Sequence, residues 1–76
     1  MDKDEFISFI VSIGFKNGPL GFHYVYKKYD IYLGEEYYHF YYGDIWFEYT
    51  NFNDLTPFEN NMIKELRTIK LKALLG

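Results

Sequence analysis

A two-layer α+β domain is predicted for residues 1–76, an antiparallel β-meander of three to four strands covered on one face by an N-terminal and a C-terminal helix. Three observations predict it. Nine Tyr and eight Phe occur in the chain, most of them between Phe22 and Phe52 at alternating positions, which is the period of a pleated strand. Segments with helical spacing and capping residues stand at both ends. A chain of 76 residues has room for one core and therefore one domain.

The first element reads as a helix. Asp2 and Glu5 have capping-box spacing, Phe6, Phe9, Ile10 and Ile13 form one apolar stripe, and Gly14 follows where a C-cap glycine belongs. Asn17-Gly18-Pro19-Leu20-Gly21 reads as a loop. Phe22, Tyr24 and Tyr26 then alternate with His23 and Val25, and this parity flips at Lys27-Lys28, where either a turn or a bulge restores agreement.

A two-residue turn at Gly34-Glu35 pairs Leu33 with Glu36, Ile31 with Tyr38 and Tyr29 with Phe40. A second at Gly43-Asp44 pairs Tyr42 with Ile45, Phe40 with Phe47 and Tyr38 with Tyr49. Tyr29, Tyr38, Phe40, Tyr42, Phe47 and Tyr49 thereby share the core face with Ile31 and Leu33. The opposite face carries Tyr32 beside Tyr37, Tyr41 beside Trp46, His39 between Asp30 and Glu48, and Tyr37 beside Thr50.

The last element reads as one helix with Thr56 as N-cap, Pro57 at N1 and Glu59 at N3. Phe58, Met62, Leu66, Ile69 and Ala73 form its stripe, and Ile63 and Leu74 broaden it.

Charge is unevenly spread. Asp30, Glu35, Glu36, Asp44, Glu48, Asp54 and Glu59 lie in a stretch without Lys or Arg, whereas Lys64, Arg67, Lys70 and Lys72 make the end basic. An acidic aromatic face suits a basic partner. It disfavours binding of a nucleic-acid duplex by the sheet, which needs clustered cations. The four C-terminal cations are a weak nucleic-acid footprint. No cysteine is present, the acidic start lacks a signal peptide's basic region, and no apolar run approaches the roughly 18 residues that span a bilayer. A cytoplasmic protein with no membrane role is expected.

No catalytic, cofactor or metal motif is present, and a non-enzymatic protein is expected. A histidine between two carboxylates, as in Asp30–His39–Glu48, suits a general base or a metal ligand set. A shallow sheet face with no nucleophile favours a cross-strand polar row instead. His23 reads as a lone rim histidine. Tyr32, Tyr37, Tyr41 and Trp46 are the stronger candidates, because such rings dominate interface hot spots. Asp30, His39, Glu48 and Glu36 flank them as steering and polar contacts.

The chain is rich in Tyr, Phe, Ile, Lys and Asn and poor in Ala, Arg and Pro, a bias of AT-rich coding. In size, acidity, lack of cysteine and this composition it resembles the small proteins with which phages and mobile elements block bacterial defences, anti-CRISPR proteins among them. The resemblance implies a stoichiometric inhibitor of a basic nuclease or its ribonucleoprotein, acting in the cytoplasm of a bacterial host. A toxin-immunity protein and a single-stranded nucleic-acid-binding module are the alternatives, and self-association through the sheet face stays open.

Overall fold

A computed structural model describes residues 1–67, apart from the side chain of Tyr49. Helix α1 (Lys3–Ile13) begins at Asp2, whose side chain accepts from the Glu5 N–H while the Glu5 side chain accepts from the Asp2 N–H, closing the expected capping box. It ends at Gly14, where φ is +129° and an added Cβ would lie 2.8 Å from the Tyr26 ring. Both backbone conformation and space require glycine there.

Five antiparallel strands follow in sequential order, more than the three to four expected: β1 (Lys16–Asn17), β2 (His23–Tyr26), β3 (Tyr29–Leu33), β4 (Tyr37–Tyr42) and β5 (Ile45–Asn51). The additional β1 takes up Asn17, expected in the loop, and pairs Lys16 with Val25 and Asn17 with Tyr24. Lys27-Lys28 is a two-residue turn, with Tyr26 opposite Tyr29 and Lys27 at φ +53°. Lys27 is stabilised there by its ammonium, 5.1 Å from the Tyr26 ring centre and 3.9 Å from Glu65. Gly43-Asp44 is the expected turn, with Gly43 at φ +58°.

Two registers differ from expectation. The β3–β4 connection turns at Glu35-Glu36, so Leu33 pairs with Tyr38, Ile31 with Phe40 and Tyr29 with Tyr42. Gly34 serves for close approach rather than for a positive φ: a Cβ on it would meet the Tyr37 ring at 2.6 Å. Its N–H donates to the Tyr37 carbonyl at 2.8 Å. The second difference is an irregularity between Tyr38 and Phe40, where Phe40 pairs with Phe47 but Tyr38 pairs with Thr50 rather than Tyr49. One extra residue in β5 opposes His39, which is a β-bulge. It brings Thr50 to the buried face, and Tyr37 pairs with Asn51 instead of Thr50. Tyr49, expected in the core, lies outside the described residues in its side chain.

The expected single C-terminal helix is broken. Helix α2 (Thr56–Asn61) stops at Met62, and helix resumes at residues 63–67. The Asn61 side chain donates to the Pro57 carbonyl at 2.9 Å, and the Asn61 carbonyl accepts from the Tyr29 hydroxyl at 2.9 Å. The latter bond takes a carbonyl that a continuous helix would have used. Thr56 is not the N-cap: Leu55 occupies that place without a side-chain bond, while Asp54 Oδ1 accepts from the Thr56 N–H at 3.1 Å. Phe58, Met62 and Leu66 of the expected stripe are buried, but Ile63 is 44% exposed. Ile69, Lys70, Lys72, Ala73 and Leu74 lie outside the described residues.

The core sits between the helices and one sheet face. Phe6, Ile10, Phe15, Tyr29, Ile31, Tyr38, Phe40, Phe52, Phe58 and Met62 are buried, while Tyr42 and Phe47 are half-buried against them. Phe15 and Phe52 were not among the expected core residues. The ring of Phe58 meets Phe6, Phe9, Phe15, Tyr38 and Phe40 at centroid distances of 5.2–6.4 Å. The Tyr38 hydroxyl donates to the Asp54 carbonyl at 2.5 Å, and burial foremost, with the Asp54 charge second, raises its phenol far above the usual range.

Phe58→Ala is expected to cost about 3–5 kcal/mol, whereas Ile63→Ala costs roughly 0.5 kcal/mol or less, as read from urea unfolding. A second test uses pH. The Thr56 hydroxyl and, secondarily, its N–H hold the Asp54 carboxyl below its ordinary value of 3.8. A depressed folded pKa stabilises the fold above that value and is lost as pH falls through the folded one. Asp54→Ala should therefore lower stability at neutral pH and change it by next to nothing near pH 2, measured by parallel denaturant titrations.

Candidate functional site

Alternation along the strands sends one set of side chains away from the helices, and no described element covers them. In register across all five strands this face carries Lys16, Val25, Asp30, Tyr41 and Trp46. The next row carries His23, Tyr32 and His39. The rings in these rows touch in sequence. Trp46 stacks on Tyr41 with centroids 6.3 Å apart and planes 15° off parallel. Tyr41 meets Tyr32 edge-on at 5.5 Å and 87°. Tyr32 then stacks on His23 at 4.3 Å and 2° and lies 6.4 Å from Phe22. Aromatic contact thus runs unbroken from β5 to β2 and its preceding loop.

Three of the four expected anchors, Tyr32, Tyr41 and Trp46, are brought together in this track. Tyr37 stands apart, 40% exposed, with its ring over Gly34 and 5.5 Å from His39. The expected Asp30–His39–Glu48 row does not form. The shifted β3–β4 register puts Tyr41 opposite Asp30 and Tyr32 opposite His39, and the bulge disrupts the pairing of His39 with Glu48. Asp30 is held instead by His23, whose Nε2 donates to Oδ1 at 2.9 Å. That histidine, read from sequence as isolated, has a side chain only 16% exposed. Treating Lys27-Lys28 as a two-residue turn is the signal that would have found it, since that turn sets His23 opposite Tyr32.

Phe22 was also missed, because its parity groups it with Tyr24 and Tyr26. Glu36 falls away from the track, in the β3–β4 turn, lining a separate depression with Met1, Lys3 and Asn53. Lys64 and Arg67 are exposed on residues 63–67.

Asp30, Tyr32, His39, Tyr41 and Gly43 line an open depression of about 540 Å³ on the aromatic face. It combines two ring walls at right angles with a carboxylate whose side chain is 39% exposed. Such walls accept flat or cationic groups. Among the described residues, no three or more His, Cys, Asp or Glu are grouped to hold a metal ion, and no helix is long and apolar enough to cross a membrane.

No family model, curated protein or solved structure matches this chain. The face itself therefore carries the functional reading. Trp46 is the one tryptophan and is 55% exposed at the end of the track, so its fluorescence reports on this surface. Native emission should lie close to that of a solvated indole and be quenched by acrylamide almost as readily as in urea. A blue-shifted, poorly quenched native spectrum would contradict an uncovered face.

Proposed function

We propose that this protein is a non-enzymatic inhibitor that acts by occupying a basic surface of a protein partner with its uncovered sheet face. The partner is a nucleic-acid-handling effector, of which a CRISPR nuclease of the bacterial host is the leading example. One observation carries the reading: the contiguous ring track Trp46–Tyr41–Tyr32–His23 on a face that no described element covers. Tyr and Trp bring large contact area at low entropic cost and keep a polar edge, the chemistry of interface anchors.

Electrostatics supports a basic partner. Asp30, Asp44 and Glu48 lie on or beside the track, and the nearest cation in register is Lys16, two strands from Asp30. Acidic surroundings repel phosphates, so they favour a protein that binds nucleic acid over nucleic acid itself. The same charges accelerate encounter with a basic groove. An effector whose groove is covered in this way cannot load its nucleic acid, and inhibition needs no chemistry.

The double variant Tyr41→Ala/Trp46→Ala tests the assignment. Both side chains lie outside the core, so the variant should keep its near-native circular dichroism and unfolding cooperativity. Tagged wild type and variant are used as bait in a lysate of the native host, with retained proteins identified by mass spectrometry. The expected result is a basic, nucleic-acid-handling protein retained by the wild type and lost from the variant, since each anchor is worth about 2 kcal/mol or more. Undiminished recovery by a folded variant would show that this face is not the interface.

A further inference from the structure

We propose that the depression framed by Tyr32, Tyr41 and Asp30 is a receptor for a single arginine side chain of the protein partner. This rests on the reading of the uncovered face as a partner-binding surface and names the group that the face grips.

The walls are set before any ligand arrives. Tyr32 and Tyr41 stand at 87° with centroids 5.5 Å apart, which forms a corner rather than a flat platform. Each wall is backed by a further ring, Tyr32 by the parallel His23 at 4.3 Å and Tyr41 by the near-parallel Trp46 at 6.3 Å. Rings held on both sides lose little freedom on binding, so the contact area they offer is cheap in entropy.

The floor of the corner carries one negative charge. His23 Nε2 occupies Oδ1 of Asp30 at 2.9 Å, and among the described residues no hydrogen bond reaches Oδ2. No described lysine or arginine pairs with Asp30. Lys27, close by in sequence, turns instead toward the Tyr26 ring and Glu65 on the helix side. Any partner that covers the depression removes water from this carboxylate, which is unfavourable unless a cation replaces the water.

A guanidinium matches this set better than an ammonium. Its flat face stacks on a ring while its edge donates to a carboxylate, and it sheds water more readily. The volume of about 540 Å³ holds the guanidinium with its aliphatic stem. A lysine supplies the charge but neither the flat face nor the fork of donors.

The test titrates the full chain with the blocked tripeptides acetyl-Gly-Xaa-Gly-amide, where Xaa is arginine, lysine or citrulline. Ring and indole proton shifts of Tyr32, Tyr41 and Trp46 are followed at low salt. The arginine peptide should saturate with a dissociation constant on the order of millimolar. The lysine peptide should bind at least about fivefold more weakly, and neutral citrulline, of the same shape, should not saturate. Asp30→Asn should weaken the arginine peptide roughly tenfold. Equal binding of citrulline or lysine, or an unchanged constant in a folded Asp30→Asn protein, overturns the proposal. If Asp30→Asn fails to fold, the citrulline comparison on the native chain decides alone. A partner lost on Tyr41→Ala/Trp46→Ala substitution while no arginine peptide binds would refute the arginine receptor and leave the interface standing. Arginine binding without a face-dependent partner would do the reverse.

Discussion

The two layers of this protein are joined through the ring of Phe58. It lies 5.4 Å from Phe9 and 5.9 Å from Phe6 of α1, and 5.2 Å from Phe40 and 5.8 Å from Tyr38 of β4. Helix α2 has six residues, too few to be stable by itself in water, so packing rather than propensity holds it. Its entry is tied down by Asp54 bonding to Thr56 and by the Tyr38 hydroxyl on the Asp54 carbonyl. Its exit is tied down by the Tyr29 hydroxyl on Asn61. Two core tyrosines thus satisfy backbone carbonyls at both ends of the segment that carries Phe58, which explains why these positions are Tyr rather than Phe. With α1 and α2 committed to this side, no described element covers the opposite sheet face.

Much of the fold was legible because alternation is a robust signal. It separated Tyr29, Ile31, Tyr38 and Phe40 from Tyr32, Tyr41 and Trp46 even though one turn was placed a residue early. Moving a turn by one residue shifts the pairing by two, which leaves every side chain on its face and changes only its neighbours. These residues therefore lie on the expected face while several of their expected neighbours changed. The bulge in β5 was not legible, since Phe47-Glu48-Tyr49-Thr50 continues the alternation and only the packing of Thr50 opposite Tyr38 breaks it. Strand β1 has two residues, too short to show a period. The break at Met62 has neither Gly nor Pro to announce it and depends on long-range bonding by Tyr29.

The capping error has a similar origin. Asp54 and Thr56 are both good cap residues, and sequence favours Thr56 because Pro57 follows it. In the folded chain Asp54 reaches the Thr56 N–H and so relieves Thr56 of the role. His23 was missed for a different reason: its partner Asp30 becomes its neighbour only once Lys27-Lys28 is a tight turn, a conformation that requires positive φ at a lysine. The turn composition does not favour that, and the ring of the preceding Tyr26 together with the distant carboxylate of Glu65 supplies the compensation.

The proposed recognition through the face rather than through the edge agrees with how the sheet ends. Strand β5 stands last in the order and has seven residues, long enough to template another strand. Its bulge interrupts the ladder opposite His39, and a bulged edge twists away from flat pairing. Cross-strand ring pairs such as Tyr32 with Tyr41 stabilise a sheet by about 0.2–1 kcal/mol each, so those two rings have a structural role beside the proposed recognition one. Trp46, opposite Tyr41 and stacked on it on one side, is 55% exposed at the margin. Its exposed side is the part of the track open to the proposed partner. In the proposed reading the contact centres on the β4–β5 end of the track, where Trp46, Tyr41 and Asp30 share one register row.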